Sequence, residues 1–84
     1  MNEMRNGWEK PIGDVPEGWD EVQTMMGDWL VRVWRCESRR FESSMVNIKT
    51  QERLTLVLGM PLNLHFACEN ARYEAMIAIK SKLV

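Results

Sequence analysis

The sequence is poor in the residues that cross-link a fold covalently or through a metal ion. It contains two cysteines and one histidine among 84 residues, whereas a small scaffold held together by disulfides carries a denser set of cysteines. We therefore expect Cys36 and Cys68 to be reduced and partly buried. Structural zinc sites need four close ligands, usually including a Cys-x-x-Cys or His-x-x-His pair, and no such pair occurs here. The sequence predicts no metal and no cofactor, and His65 is expected to be an ordinary surface or boundary residue.

The sequence also lacks an excess of charge and a long apolar run. Eleven Lys and Arg residues against twelve Asp and Glu residues give a net charge of -1, so nucleic acid is not favoured as a partner. The uncharged apolar stretches are far shorter than the roughly 18 residues that span a bilayer, and the amino terminus has no apolar run of the secretory type. We expect an intracellular protein, cytoplasmic or nuclear, with no membrane partner.

The composition changes once along the chain. Residues 1–18 hold two of the three prolines and three of the five glycines, which predicts an irregular amino-terminal arm. Trp8 and Ile12 are the apolar residues that would anchor this arm to the body. The chain as a whole is 45% apolar and 27% charged, an ordinary globular balance. The composition therefore predicts that residues 19–84 form a single small domain.

Residues 19–36 carry two conflicting patterns. Apolar residues recur there at helical spacing: Trp19, Val22, Met26, Trp29, Leu30 and Val33. Against one long helix stand Gly27, which would cost about 1 kcal/mol in a helix interior, and the β-forming run that begins at Trp29. We interpret the segment as a short helix over residues 15–26, a break at Gly27 and Asp28, and a strand over residues 29–36. The alternative is a single helix over residues 19–36. The polar residues 37–44 that follow are predicted to form a loop.

From residue 46 the apolar pattern has a period of two, which predicts three short strands. The alternating residues are Val46 and Ile48, then Leu54, Leu56 and Leu58, then Leu62, Leu64 and Phe66. Because the connections are only a few residues long, neighbouring strands must pair in antiparallel fashion.

A carboxyl-terminal helix is expected to start at Asn70, which would serve as its N-cap. One stripe of this helix is apolar: Ala71, Ala75, Met76, Ile79 and Leu83. We expect the stripe to cover the sheet, with Leu64 or Phe66 buried under Met76 and Ile79. The fold class is therefore α+β, an antiparallel meander of three to four strands with a carboxyl-terminal helix and a short amino-terminal helix.

Residues 61–78, PLNLHFACENARYEAMIA, resemble the third strand and first helix of ribonuclease H domains, particularly those of plant retroelements. In that family a strand ending in an aromatic residue leads through a short Asn-containing turn into a helix that opens Ala-Glu-Tyr-Glu-Ala-Leu-Ile-Ala. Residues 71–78 look like that helix. The order of three antiparallel strands before a helix agrees as well, and Trp29 stands at about the distance where family members begin a strand.

The catalytic carboxylates of that family hold two divalent metals for phosphodiester hydrolysis, and this chain departs from the pattern where they would lie. The position that matches the first-strand Asp is Trp34, and the position that matches the helical Glu is Arg72. A cation at Arg72 would repel a metal. Glu74 matches a family glutamate that is not the usual ligand. The resemblance therefore implies fold and ancestry, without nuclease activity.

Two groups of residues are candidates for a binding surface. Arg39, Arg40 and Phe41 form a basic concentration beside an aromatic ring, a combination that can track a phosphate backbone and stack a base. The alternative interpretation is that these three residues belong to an ordinary solvated loop. Trp8 and Trp19 flank the arm and are harder to bury than the other tryptophans, and Trp is enriched at protein interfaces.

Four tryptophans and seven methionines in so short a chain favour contacts with other proteins. We expect Trp29, Trp34, Met26 and Met76 to be core residues.

The sequence predicts a small noncatalytic protein-interaction module, derived from a truncated ribonuclease H-like domain, that binds another protein or itself. A nucleic-acid-binding remnant that uses the loop of Arg39, Arg40 and Phe41 is the alternative. Because one helix shields one face of a sheet that is apolar on both, a homodimer with tryptophan in its interface is expected.

Overall fold

The computed structural model describes residue 8, residues 21–36 and residues 40–83. Within these residues the chain forms four strands followed by one helix: β1 (Glu21–Met26), β2 (Trp29–Arg35), β3 (Phe41–Asn47), β4 (Arg53–Leu56) and α1 (Leu64–Leu83). The strands lie side by side in chain order, and each pairs with the next in antiparallel fashion. The predicted α+β class, the antiparallel meander and the carboxyl-terminal helix are confirmed.

β1 lies where the sequence predicted a helix. It pairs with β2 from Glu21 opposite Trp34 to Met26 opposite Trp29. Gly27, with a φ of 64°, and Asp28 form the two-residue connection, and a glycine first is what a type II′ hairpin turn requires. The predicted helix over residues 15–26 is therefore wrong over residues 21–26, while residues 15–20 lie outside the described residues. Pairing with the β-rich second strand outweighs the helical spacing, because it buries every second residue of β1.

β3 begins within the predicted loop. Residues 41–44 belong to the strand, so the loop over residues 37–44 is wrong in this part, and residues 37–39 lie outside the described residues. Polar Ser43 is 1% exposed, and its hydroxyl donates to the carbonyl oxygen of Arg32 at 2.7 Å. This hydrogen bond removes the cost of burying the hydroxyl, which is why a serine fits inside a core strand.

α1 begins at Leu64 and not at Asn70. Asn63 is the N-cap: its side-chain oxygen accepts from the backbone N–H of Phe66 at 3.0 Å, and its carbonyl oxygen accepts from Ala67 at 2.9 Å. The predicted strand over residues 62–66 is therefore wrong. Three alternating apolar residues fit one turn of helix as well as a short strand, and the capping side chain decides between them.

α1 packs on one face of the sheet, against β2, β3 and β4. Two rows of paired residues run across this face: Val22, Val33, Ser43 and Leu56, then Thr24, Val31, Met45 and Leu54. The helix contributes small side chains, and Ala67, Ala71 and Ala75 are each 0% exposed. Alanines let the helix approach the sheet closely, so the large side chains of the core come from the strands.

Several burial expectations are corrected by this packing. Phe66 is 44% exposed and Met76 is 42% exposed, so the expected burial of Phe66 under Met76 is wrong, whereas Leu64, the alternative to Phe66, is partly buried against the core. Ala71 and Ala75 are buried as predicted, and Ile79 is partly buried against the core. The side chain of Leu83 lies outside the described residues. Among the expected core residues, Trp29 is buried, whereas Met26 and Trp34 are partly buried.

Candidate functional site

Of the three sequence candidates that the structure describes, one is buried in the core and two line a cleft. Trp8 is 5% exposed and belongs to the core cluster of buried residues, so it packs against the body of the domain as expected. A side chain buried to this extent serves the core and offers no exposed contact surface. Trp19 and Arg39 lie outside the described residues. Arg40 and Phe41 remain as described candidates, and they lie together.

Arg40 and Phe41 line a cleft of about 730 Å³ at the end of the sheet where β3 begins and β4 ends. Its apolar walls include Trp34, Leu58, Met60 and Leu62, and its polar walls include Glu42, Ser44 and Thr55. A volume of this size lies within the range of ligand-binding pockets in proteins. Among the described residues, the lining offers one cation, one carboxylate and a broad apolar floor, which suits an amphipathic ligand better than a purely anionic one.

The Arg40 side of the cleft is fixed by the connection between β2 and β3. The backbone N–H of Cys36 donates to the carbonyl oxygen of Arg40 at 2.7 Å. Arg35 lies opposite Phe41 in the sheet, and its guanidinium carbon is 5.0 Å from the centre of the Phe41 ring, within cation–π distance. The ring is therefore held against Arg35, and this leaves less of it for stacking on a nucleic-acid base.

The opposite side of the cleft is formed by residues 57–62, which we call the 57–62 segment. Three of its side chains are strongly exposed: Val57 at 77%, Met60 at 91% and Leu62 at 85%. The segment is attached to the body, because Leu58 is 7% exposed and the side-chain amide of Asn70 donates to the Leu58 carbonyl oxygen at 3.0 Å. The exposed apolar side chains are thus presented by an anchored backbone.

Sequence reasoning missed the 57–62 segment because it placed Leu58 and Leu62 in two predicted strands. Residues 59–61 were predicted to connect these strands, and the signal in them indicates a longer break. Gly59 and Pro61 are strand-breaking residues in close succession, and Gly59 has a φ of 73°, in the left-handed region that glycine favours.

The second face of the sheet, away from α1, is not covered by any element among the described residues. Its central residue is Arg32, whose guanidinium is hydrogen-bonded to the carboxylate of Glu21. Leu30, Trp34 and Val46 on the same face are each partly buried. The face therefore mixes an ion pair with apolar residues, and it is less apolar than the sequence predicted.

The titratable groups of the described residues do not assemble a reactive centre. Burial raises the pKa of Cys68 to about 11, and the pKa of Cys36 is raised by desolvation and by its hydrogen bond and charge contact with Glu42. Both thiols are free and are held in the protonated form, which is a poor nucleophile. His65 contacts Glu69 one helical turn away, with 3.1 Å between Nε2 and Oε2. No group of three His, Cys, Asp or Glu residues that could hold a metal ion occurs in the described part of the chain.

No protein-family model, curated protein or solved structure matches this chain. Of the segment that resembles ribonuclease H, residues 71–78 are helical as in that family, but residues 62–66, which the resemblance aligns with a strand, form no strand, and residues 64–66 already belong to α1. The family relationship stays a hypothesis. No helix in the described part of the chain is long and apolar enough to cross a membrane.

Proposed function

We propose that this chain is a noncatalytic protein-interaction module, and that it binds an extended apolar segment of another protein at the cleft. The observation that carries this proposal is the exposure of Val57, Met60 and Leu62 on one wall of the cleft. Exposed apolar patches on small soluble domains mark interaction sites. These three side chains lie within six residues of one another, on a backbone that is anchored on both sides.

The position of β4 supports an extended peptide as the ligand. β4 is an edge strand of the sheet, and no further strand pairs with it among the described residues. An edge strand has unpaired backbone N–H and C=O groups, and extended peptides use such edges to add a strand. The cleft begins at Thr55 and Leu56 of β4, so a peptide paired there would place its alternate side chains against the apolar wall.

The experiment is a selection of peptides from a random displayed library on the purified chain, followed by calorimetric titration of a selected peptide. We expect an apolar sequence whose dissociation constant changes less than about threefold between low and high salt, since burial of apolar surface is weakly screened. The double substitution of Met60→Ser and Leu62→Ser should weaken binding about tenfold or more. It should leave the fold intact, because both side chains are almost fully exposed.

Ile48→Ser is the matched control. Ile48 is 50% exposed and follows β3 at the end of the sheet remote from the cleft, so this variant should bind the peptide like the unaltered chain. Failure to select any peptide, or equal binding by the double variant and the control, would contradict the proposal.

The second candidate function is single-stranded nucleic-acid binding, favoured by the presence of Arg40 and Phe41 in the same cleft. The contact between Arg35 and Phe41, the carboxylate of Glu42 and the net charge of -1 all weigh against it. A fluorescent oligonucleotide distinguishes the two functions. Phosphate contacts would give an affinity that falls steeply with salt and that weakens in Arg40→Ala.

A further inference from the structure

α1 has a second apolar stripe on the side that faces away from the sheet. At about 100° per residue, Phe66, Tyr73 and Ile77 fall within about 40° of one another around the helix axis, and Met76 lies beside them. These four side chains are 44%, 63%, 45% and 42% exposed, respectively. The buried alanines of α1 point to the other side, so the helix is apolar on two faces and the sheet covers only one.

The outer stripe follows the spacing of a helix–helix seam. Phe66, Glu69, Tyr73, Met76 and Lys80 recur at alternating steps of three and four residues, which is the heptad spacing of paired helices. We call these five residues the outer seam. Apolar residues occupy three of its positions, and its two charged residues, Glu69 and Lys80, have opposite signs.

We propose that the outer seam binds the outer seam of a second copy of this chain, with the two helices antiparallel. When the two-fold axis passes between Tyr73 and Met76, each Tyr73 faces Met76 of the second copy. The same alignment places each Glu69 opposite Lys80 of the second copy, so two attractive charge pairs flank the apolar centre.

The charges argue against the other arrangements. A parallel pair would place Glu69 against Glu69 and Lys80 against Lys80, which repel. Antiparallel helices also bring opposite ends of their dipoles together. Because Glu69 and Tyr73 on one side of this axis complement Lys80 and Met76 on the other, these four residues are self-complementary in the sense that a two-fold dimer requires.

The local contacts of the seam are compatible with this pairing. Glu69 contacts His65 on its own helix through Oε2, and its side chain remains 54% exposed, so the carboxylate can also meet a partner's ammonium group. The seam from Phe66 to Lys80 is about 21 Å long, which is short for an interface of standard size. We therefore expect a dissociation constant in the micromolar range. The inference uses residues outside the cleft and does not rest on the proposed function.

Sedimentation equilibrium of the full chain, from about 1 to 300 μM, measures dimerisation, and variants in which Glu69 and Lys80 change sign test the pairing. The unaltered chain, of 9.9 kDa, should approach twice its monomer mass. Lys80→Glu and Glu69→Lys should each weaken dimerisation about tenfold, since each turns two attractive pairs into repulsive ones. The double variant Glu69→Lys with Lys80→Glu should recover the affinity of the unaltered chain, because the pairs are restored with exchanged signs.

Loss of affinity in the single variants followed by recovery in the double variant is specific to an antiparallel pair of identical chains. In a parallel pair each residue meets its own copy, so the exchange changes nothing. With a foreign partner, exchanging both charges on this helix would not restore the lost affinity. Tyr73→Glu should abolish dimerisation over the range studied, and Ile77→Ser should weaken it if Tyr73→Glu does not fold. Met60→Ser, in the cleft, should leave it unchanged. A monomer at every concentration, or a double variant no better than the single ones, would overturn the proposal.

Discussion

Met45 and Phe66 are two large apolar side chains that differ strongly in burial. Met45 lies in the middle of β3, opposite Val31 and Leu54 on its two neighbouring strands, and it is 0% exposed. Phe66 lies in the first turn of α1, where its ring contacts His65 edge-on with 5.5 Å between ring centres. Stability should therefore depend on the methionine far more than on the larger aromatic residue.

Truncation of these two side chains measures the difference. Met45→Ala should lower the free energy of unfolding by about 2–5 kcal/mol, because it leaves a cavity in a closed core. Phe66→Ala should lower it by less than about 1 kcal/mol, because much of the ring is already in water. Denaturant titration at nanomolar concentration, below the expected dimer range, compares the two variants.

The reverse order, with Phe66→Ala more destabilising than Met45→Ala, would show that the helix rests on the sheet through its other face. Met60→Ser is the reference for a substitution without cost, since Met60 is 91% exposed.

At the scale of elements, α1 is defined at both ends by local chemistry. Asn63 caps its amino terminus, and Lys80 and Lys82 lie in its last turn, where cations are favourable to the helix dipole. Lys82 also contacts the rest of the fold, with its ammonium group 2.5 Å from the carboxylate of Glu52 and 5.9 Å from the centre of the Trp29 ring. The helix is therefore attached at its end as well as along its alanine face.

The position of the N-cap can be tested by substitution. Asn63→Ala should destabilise the chain by about 1 kcal/mol, because it leaves the Phe66 N–H without its side-chain acceptor. Asn63→Asp should retain stability, since Asp is an equally good cap and adds a negative charge at the positive end of the dipole. Thermal unfolding followed by circular dichroism gives both values. Equal stability of the Ala and Asp variants would indicate that α1 starts further along the chain.

At the scale of the whole molecule, the core contains the buried thiol of Cys68. Cys68 lies on α1 and is 6% exposed, and burial raises its pKa to about 11. The pKa of a cysteine in an unfolded chain is about 8.5. Because the folded state keeps the proton to higher pH, the stabilisation from the protonated thiol is complete below about pH 8.5 and is lost as the pH rises towards 11.

We therefore expect the free energy of unfolding to fall by about 1 kcal/mol between pH 7.5 and pH 9.5 through this group alone. Denaturant titrations at the two pH values, under reducing conditions, measure the change. Cys68→Ala serves as the control, because it removes the thiol and keeps a small apolar side chain. If the decrease is the same in this variant, other groups cause it and the thiol is not protected by burial.

Several features of this protein were determined by the sequence alone. Short connections force antiparallel pairing, so the pairing of β3 with β4 follows from the short predicted connection at residues 50–52, whereas Gly27 and Asp28 were expected to separate a helix from a strand. The β-rich run at Trp29 forms a strand and the stripe of Ala71 and Ala75 lies in a helix, as their local sequence predicts. Composition and the small number of cysteine and histidine residues led to the expectation of no metal site, which stays a prediction.

The tertiary structure decided the remaining features, because they depend on what each residue meets across the fold. β1 is a strand because the edge of β2 is available to pair with it, although its own spacing is helical. Residues 41–44 join β3 because the buried Ser43 finds an acceptor on β2. Phe66 is exposed because the cap at Asn63 makes it a helical residue, on the side of α1 opposite the buried alanines. The cleft and the outer seam are the apolar surfaces that this packing leaves uncovered: periodicity predicted the burial of Ala71 and Ala75, but the exposure of Met76 and Phe66 depends on how α1 lies on the sheet.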